Sequence, residues 1–424
     1  MEMNIYTKCA SVFLLFSCFA LNGVRSEEIL TWEDCIKEAR KNNPDLVSAQ
    51  EKLNQARANK AIARSAILPQ INSSLSEKTS ETATTNKGDT YSYGITGEQL
   101  LFDGFKTSYD IAAASENIKS AQYNYEVTSS NVRLGLRVAF VELLSAQRLL
   151  NITEDIAKRR GQNVELLKLR YEAGREHRGS LLTAQANLTQ AEFEVDQAGR
   201  NIDLAQRRLT KELGRTKFIP VRAKADFEIV YSNREKPDSE RLAESTPFLQ
   251  ELIAQREAAR FGLKSTTADF APQVYASGSA RRTASDWPPD EDEWSVGVNL
   301  SFPLFEGGRR TAEVSKARAV FNQTQVDERS GRDSVIFTLE ETWTRFQDAI
   351  DKVEVQKKFL EAALERAKIA EARYSTGLVS FDNWIIIEDD LVRAKKSFLD
   401  AQGNALIAEA DWVQAKGGTL DYEE

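Results

Sequence analysis

The chain has 424 residues, with 56 basic and 64 acidic side chains, 21 glycines and 9 prolines. The mild acidity excludes a nucleic-acid protein, which would carry a basic stripe. Little Gly and Pro beside abundant Ala, Gln, Glu, Lys, Arg and Leu excludes an all-β or disordered chain and points to long helices. The N-terminus reads as an export signal over residues 1–26. Lys8 supplies a thin positive region, Cys9 to Leu21 is mostly apolar, and Val24-Arg25-Ser26 fits a small-residue cleavage site. Leu15-Phe16-Ser17-Cys18 allows a second reading, a lipoprotein box with Cys18 lipidated. Cleavage after Ser26 leaves Cys35 as the only cysteine, so no intramolecular disulfide can form. Beyond residue 26 no apolar run approaches the length of a membrane-spanning helix, so any membrane insertion must use strands.

The mature chain repeats itself. Asn43-Pro44-Asp45-Leu46 matches Thr246-Pro247-Phe248-Leu249, and Leu68-Pro69-Gln70-Ile71 matches Ala271-Pro272-Gln273-Val274. Leu101-Phe102-Asp103-Gly104 matches Leu304-Phe305-Glu306-Gly307, and Tyr171-Glu172-Ala173-Gly174 matches Tyr374-Ser375-Thr376-Gly377. Every pair is offset by the same 203 positions (246 − 43, 271 − 68, 304 − 101, 374 − 171), which implies a duplicated unit with equal element lengths. The units span 27–214 and 241–417, joined by a polar linker at 215–240 with Pro220 and Pro237 and followed by a tail at 418–424.

Each unit opens with a helix, residues 45–67 in the first copy, that ends before a proline. A strand pair follows, at 70–101 and again at 273–304. Trp294, Val296, Val298, Leu300 and Phe302 alternate with Ser295, Gly297, Asn299 and Ser301; Tyr91, Tyr93 and Ile95 alternate with Ser92, Gly94 and Thr96. Period two with an apolar and a small polar face is a strand. Tyr91 and Trp294 stand at equivalent ends, where a membrane strand carries its aromatic belt. The leading strands at 70–79 and 273–282 are less marked, and Glu81–Asp89 and Ser285–Glu293 read as polar surface loops.

Heptads come next. Leu136, Leu143, Leu150, Ala157, Val164 and Tyr171 recur every seven residues, as do Leu339, Phe346, Val353, Leu360, Ala367 and Tyr374, with Phe140, Trp343, Ile350 and Leu364 interleaved. The first long helix, about residues 106–171, would be on the order of 100 Å long at 1.5 Å per residue. The chain turns at 171–180 and 374–383, near Gly174 and Gly377. The first returning helix carries Leu181, Leu188, Val195, Ile202 and Leu209 with Ala184, Ala191, Ala198 and Ala205 between; the second carries Trp384, Leu391, Phe398, Ala405 and Trp412. Tyr171 and Tyr374 continue the seams, so packing is their first explanation.

Unpaired strand edges in lipid cost several kcal/mol per peptide group, and four strands are too few to close a barrel. The chain must pool its strands with other copies, and three chains give an even twelve. The fold class is therefore mainly α with a membrane β-hairpin pair: long antiparallel coiled-coil helices, and four strands per chain contributing to a shared twelve-stranded barrel in a trimer.

The order helix, strand pair, long helix, Tyr-x-x-Gly turn and returning helix, given twice, resembles the TolC-like outer-membrane efflux protein family, the outer membrane factor of tripartite export systems. Asn43-Pro44, Leu68-Pro69-Gln70, Pro303-Leu304-Phe305-Glu306-Gly307-Gly308 and both Tyr-x-x-Gly turns carry the resemblance, from about Leu30 to Gly417. It implies a homotrimer in outer-membrane lipid, a periplasmic α-barrel, and partners: a periplasmic adaptor (membrane fusion) protein and an inner-membrane transporter. It places Tyr171, Gly174, Tyr374 and Gly377 at the periplasmic tip, where the adaptor docks and the aperture opens. Some members carry a lumen-facing acid six residues after the tip glycine; here that position is Asn383, with Asp382 before it and Asp389 seven residues beyond Asp382 on the same helix. These three are the candidate acidic gate, with Glu388 and Asp390 beside Asp389.

The only histidine, His177, reads as a solvated loop residue, and no Cys or His cluster offers a metal site. No nucleophile elbow, phosphate loop or zinc-protease motif is present, so the chain reads as a non-enzyme without cofactors and without nucleic-acid partners. The rival reading is a periplasmic coiled-coil adaptor or scaffold, which would have no use for paired amphipathic strands.

Overall fold

The computed structural model describes residues 27–82, 85–225, 227 and 235–421. The signal segment 1–26, with Cys9 and Cys18, lies outside them, as do the last three residues of the tail. The order is β1 (Glu28–Leu30), α1 (Trp32–Asn42), α2 (Pro44–Ser65), β2 (Gln70–Thr82), β3 (Thr85–Phe102), α3 (Lys106–Glu172), α4 (Arg178–Glu212), β4 (Val221–Ala223), α5 (Ser239–Ser245), α6 (Pro247–Ala268), β5 (Gln273–Ala284), β6 (Glu291–Ser301), α7 (Arg309–Ser375) and α8 (Phe381–Ala415). Helices α2, α3 and α4 have 22, 67 and 35 residues, and α6, α7 and α8 repeat those lengths.

The repeat motifs act as joints. Asn43 ends α1 and caps α2: its side-chain oxygen accepts from the backbone of Asp45 (3.0 Å) and Leu46 (3.4 Å), and Pro44 takes the first turn, where a missing N–H costs nothing. The same amide donates to the Glu212 carbonyl (3.0 Å), tying the start of the first unit to its end. At the tips Gly174 and Gly377 take φ of +70° and +77°, and the following residues, Arg175 and Leu378, bond back to Arg170 and Arg373. A left-handed residue closing the last carbonyls is how a helix stops sharply, and glycine adopts it without a Cβ penalty.

The seams pack as heptads near the middle of the molecule. Leu136, Leu143 and Leu339 are fully buried, and Phe346 nearly so. On α4 the alanine row Ala184, Ala191 and Ala198 is buried, while Leu181, Leu188, Val195 and Ile202 flank it half-exposed. Small residues let the α4 backbone approach α3 closely. Leu364, expected in the seam, is exposed.

One expectation is corrected, and the linker and tail gain contacts that the sequence does not show. In the linker, β4 pairs in parallel with β1 over Glu28–Val221, Ile29–Arg222 and Leu30–Ala223, and the Gln147 amide accepts from and donates to Ala223. Three-residue strands have no periodicity to read. The tail is docked as far as Asp421: Leu420 is buried, its N–H donates to Ser129 Oγ (3.1 Å) and its carbonyl accepts from Arg40 (2.9 Å). Much of Glu81–Asp89 is strand, because β2 and β3 stay paired through Thr79–Asp89, Ser80–Gly88 and Thr82–Thr85. Backbone pairing needs no apolar face, so a strand end made of polar residues leaves no alternation to read.

Cys35 is buried beneath α1, and burial pushes its thiol up to about 12, leaving it unreactive near neutral pH.

Candidate functional site

The strands form one antiparallel sheet in the order β2-β3-β5-β6. The register sorts the side chains into two faces. One carries Asn72, Ser74 and Ser76 on β2, Ser92, Gly94 and Thr96 on β3, Ser277, Ser279 and Arg281 on β5, and Ser295, Gly297 and Asn299 on β6. Its hydroxyls bond across strands: Ser76 with Ser92 (2.8 Å), Ser279 with Ser295 (2.9 Å) and Asn299 with Ser277 (2.9 Å). The other face carries Ile71, Leu75, Tyr93, Ile95, Val274, Trp294, Val296, Val298 and Leu300. These are not packed inside the protein: Trp294 is 76% exposed and Val296 80%. Exposed apolar rows of this size are tolerated only against lipid or a partner. Among the described residues no helix is long and apolar enough to cross a membrane.

At the helix end of the sheet a bulge between Leu100 and Phe102 brings Phe102 opposite Val274, on the apolar face. The chain then turns through Gly104, where a Cβ would lie 2.2 Å from that of Ala271, and Phe105, a non-glycine with φ +68°. Phe105 is exposed and packs edge-on against Phe102 at 5.9 Å; its repeat equivalent is Gly308, with φ +85°. At the opposite end Tyr91 donates to Glu77 (3.2 Å) and Trp294 lies opposite Ala280. Trp287, which the alternation could not reveal because it lies in a loop, packs against Tyr91 (6.2 Å) and Tyr93 (6.3 Å).

The far end of the helices is built differently in the two copies. Tyr374 is buried, stacked on Trp384 at 4.4 Å with 13° between the rings, and Phe381, Leu167 and Ala184 complete the cluster. The Arg170 guanidinium lies over the Tyr374 ring at 4.4 Å and donates to the carbonyls of Tyr374 and Ser375, both at 3.1 Å. The Tyr374 hydroxyl donates to Glu176 (3.2 Å), which also accepts from Ser180 Oγ (2.9 Å). Burial, followed by the Glu176 carboxylate, pushes the Tyr374 phenol above its usual range. Helix α3 of one copy is thus clamped to the turn of the other. Tyr171 makes no such cluster and is 41% exposed, so packing does not explain it within the chain. His177 is more than a solvated loop residue: its Nδ1 accepts the Ser180 N–H (3.2 Å) and caps α4.

The acidic candidates separate. Asp382 and Asn383 are exposed in the first turn of α8. The Asp389 carboxylate is engaged by Arg160 of α3 at 2.5 Å. Nearby, burial opposes ionisation of Glu194, yet hydrogen bonds from Lys396 (2.6 Å) and Gln190 (3.0 Å) hold its carboxyl below the usual range. Asp390 pairs with Arg393 and Arg366. Glu388 is buried, and burial raises its carboxyl, with Arg159 and Arg160 offsetting part of the effect. A raised folded-state pKa means that the folded protein binds this proton more tightly than the unfolded chain, so the ionised form costs stability above that pKa. Glu388→Gln is therefore expected to raise the melting temperature at neutral pH, with the gain vanishing as pH falls through the raised value. A thermal melt series against pH checks it, and a gain that grows in acid would contradict it. Among the described residues no group of three or more His, Cys, Asp or Glu side chains could hold a metal.

Known proteins share this arrangement. A family model described as "Outer membrane efflux protein" matches residues 35–215 and 239–418. The chain is 22% identical to the outer membrane efflux protein BepC of Brucella suis, over 98% of this chain and 92% of that protein. It is 22% identical to the outer membrane protein TolC of Vibrio cholerae, over 89% and 86%. Its fold superposes on the Campylobacter jejuni CmeC outer membrane channel with a TM-score of 0.83 at 16% identity, covering 100% of this chain and 96% of that one. The outer membrane protein VceC of Vibrio cholerae gives a TM-score of 0.80 at 18% identity, covering 92% and 97%. A coiled-coil adaptor or scaffold accounts for neither the sheet nor the family match. With a match to both repeats, an exposed apolar sheet face and two 67-residue helices, the chain belongs to the outer membrane efflux protein family, as a channel protein of the outer membrane with a large periplasmic helical part.

Proposed function

We propose that three copies of this chain close into a conduit that carries substrate from a periplasmic adaptor and its inner-membrane transporter to the exterior, gated at the helical tip. The carrying observation is that each chain is complete on one side and open on the other. Inside the chain, β3 of the first copy pairs with β5 of the second, and α3 packs on α6 and α8. The reciprocal contacts, β6 to β2 and α7 to α2 and α4, need another chain. Equivalent residues support this reading: Ile156 on α3 is buried while its α7 counterpart Phe359 is 64% exposed, and Ile385 on α8 is buried while its α4 counterpart Leu182 is 52% exposed. A head-to-tail surface of this kind gives a ring when the rotation between neighbours closes, and three copies supply twelve strands for that closure.

The repeat also sets the register of the missing pairing. Thr96 lies opposite Ser279. Moving each by 203 positions (96 + 203, 279 − 203) sets Asn299 of one chain opposite Ser76 of the next, with Leu300 opposite Leu75. Both pairs keep polar beside polar and apolar beside apolar. Asn299→Cys with Ser76→Cys is expected to give a crosslinked trimer with a short bismaleimide, Cys35 being too buried to compete. Asn299→Cys with Leu75→Cys, one residue out of register and on opposite faces, should not crosslink. Equal yields from both pairs would reject the register, and dimers without trimers would reject closure.

In this reading Gly174, Gly377, Tyr171 and Tyr374 sit at the adaptor-facing end. The clamp of Arg170, Tyr374 and Glu176 holds the tip closed, and opening swings the helical hairpins apart. An acidic ring at the aperture rests on Asp382, because Asn383 is neutral and Asp389 is neutralised by Arg160.

A further inference from the structure

The turn between β5 and β6, residues 285–290, stands at the outer end of the sheet and could fold toward either face. Over the polar face it would cover the mouth of the pore; over the apolar face it would lie in the membrane surface. Ring contacts decide between these. Trp287 packs on Tyr91 and Tyr93, at 6.2 and 6.3 Å, and Tyr93 belongs to the row that continues down through Ile95. That row is the apolar face; Ser92, Gly94 and Arg281 lie on the other. We propose that this turn is an outer-leaflet anchor, with the Trp287 indole lying among lipid headgroups, and that the mouth of the channel carries no lid from this hairpin. The proposal rests on the assignment of the apolar face to lipid.

Depth supports it. Tyr91 and Trp294 are repeat equivalents (91 + 203 = 294), so in a ring of repeats they stand at one depth, at the outer edge of the hydrocarbon. The turn that carries Trp287 follows Ala284, which lies opposite Tyr91, so it stands at or beyond that edge, at the level of the headgroup zone, whose width is about 5 to 8 Å. Trp287 is 59% exposed, so most of the ring faces outward rather than into the protein. An indole, apolar in body with one N–H to donate, suits that zone. On the same face Asp292, one side-chain step outward of Trp294 on β6, pairs with Arg282 (2.7 Å), where a bilayer still tolerates charge.

The test uses the whole channel in vesicles of phosphatidylcholine brominated either near the headgroup or deep in the chain. The contribution of Trp287 is the emission of the wild type less that of Trp287→Phe, and that of Trp294 is obtained likewise from Trp294→Phe. Shallow bromine is expected to quench the Trp287 contribution about twofold, and deep bromine much less, as for a side chain at the interface. Quenching of Trp294 without quenching of Trp287 would overturn this proposal alone. Quenching of neither would overturn the lipid assignment of the whole face. Trp287→Ser, checked for assembly by its oligomer band, gives an independent readout. Single-channel conductance should stay as in the wild type, whereas a conductance changed more than about twofold would show a turn that screens the mouth and would overturn the proposal.

Discussion

Val298→Arg is expected to abolish assembly of the channel in the outer membrane, whereas Asn299→Arg, one residue along the same strand, should assemble. Val298 is 68% exposed on the apolar face, four residues from Trp294 at the outer end and four from Phe302 at the inner end, which places it near mid-bilayer. A cation at that depth on a barrel's lipid face costs about 2–4 kcal/mol, and in a trimer three copies carry it at once. Asn299 lies on the polar face, where its amide bonds to Ser277; in the proposed barrel that face is the lumen, and an arginine there would stay wet. The oligomer band from detergent-extracted outer membranes, with and without heating, reads both variants. Survival of Val298→Arg as a stable oligomer would show that the apolar row does not meet hydrocarbon.

The second large effect belongs to the tip. Tyr374→Ala removes the stack on Trp384, the ring under Arg170 and the hydroxyl held by Glu176. Deleting a buried aromatic of this size costs about 3–5 kcal/mol, and here the loss falls on the contact joining the two hairpins. Conductance in a planar bilayer is expected to rise several-fold. Tyr171→Ala, at the equivalent but exposed position, should leave it unchanged. If both variants behaved alike, the clamp would not be the element that holds the tip closed. Tyr374→Phe keeps the stack and loses only the hydrogen bond to Glu176, so it should fall between them.

These outcomes separate what local pattern conveys from what it does not. The offset of 203 positions predicted equal element lengths, and α3 and α7 match residue for residue from Lys106 and Arg309 onward. The sheet was legible where apolar and small residues alternate, as at Trp294 to Ser301, and less so at Gln70–Thr82, where only Ile71 and Leu75 mark the apolar face. The tip glycines were legible because a helix stop is a local event. The residues that Tyr374 meets there were not. Arg170 and Tyr374 are 204 positions apart, and Glu176 and Tyr374 are 198 apart. Trp287 carried no signal, since a lone aromatic in a proline-containing loop has no period to stand out from.

The amino-acid sequence by itself determined the repeated unit, the helix and strand periods and the need to share strands, because each follows from side-chain order along a few turns of one element. Only the tertiary structure decided which member of each equivalent pair is covered: Tyr374 rather than Tyr171, Ile156 rather than Phe359, Ile385 rather than Leu182. The two copies are alike in pattern, but a linear chain can bring the first against the second only once. Burial depends on neighbours in space, so equivalent residues meet different surroundings at the two ends of that single contact.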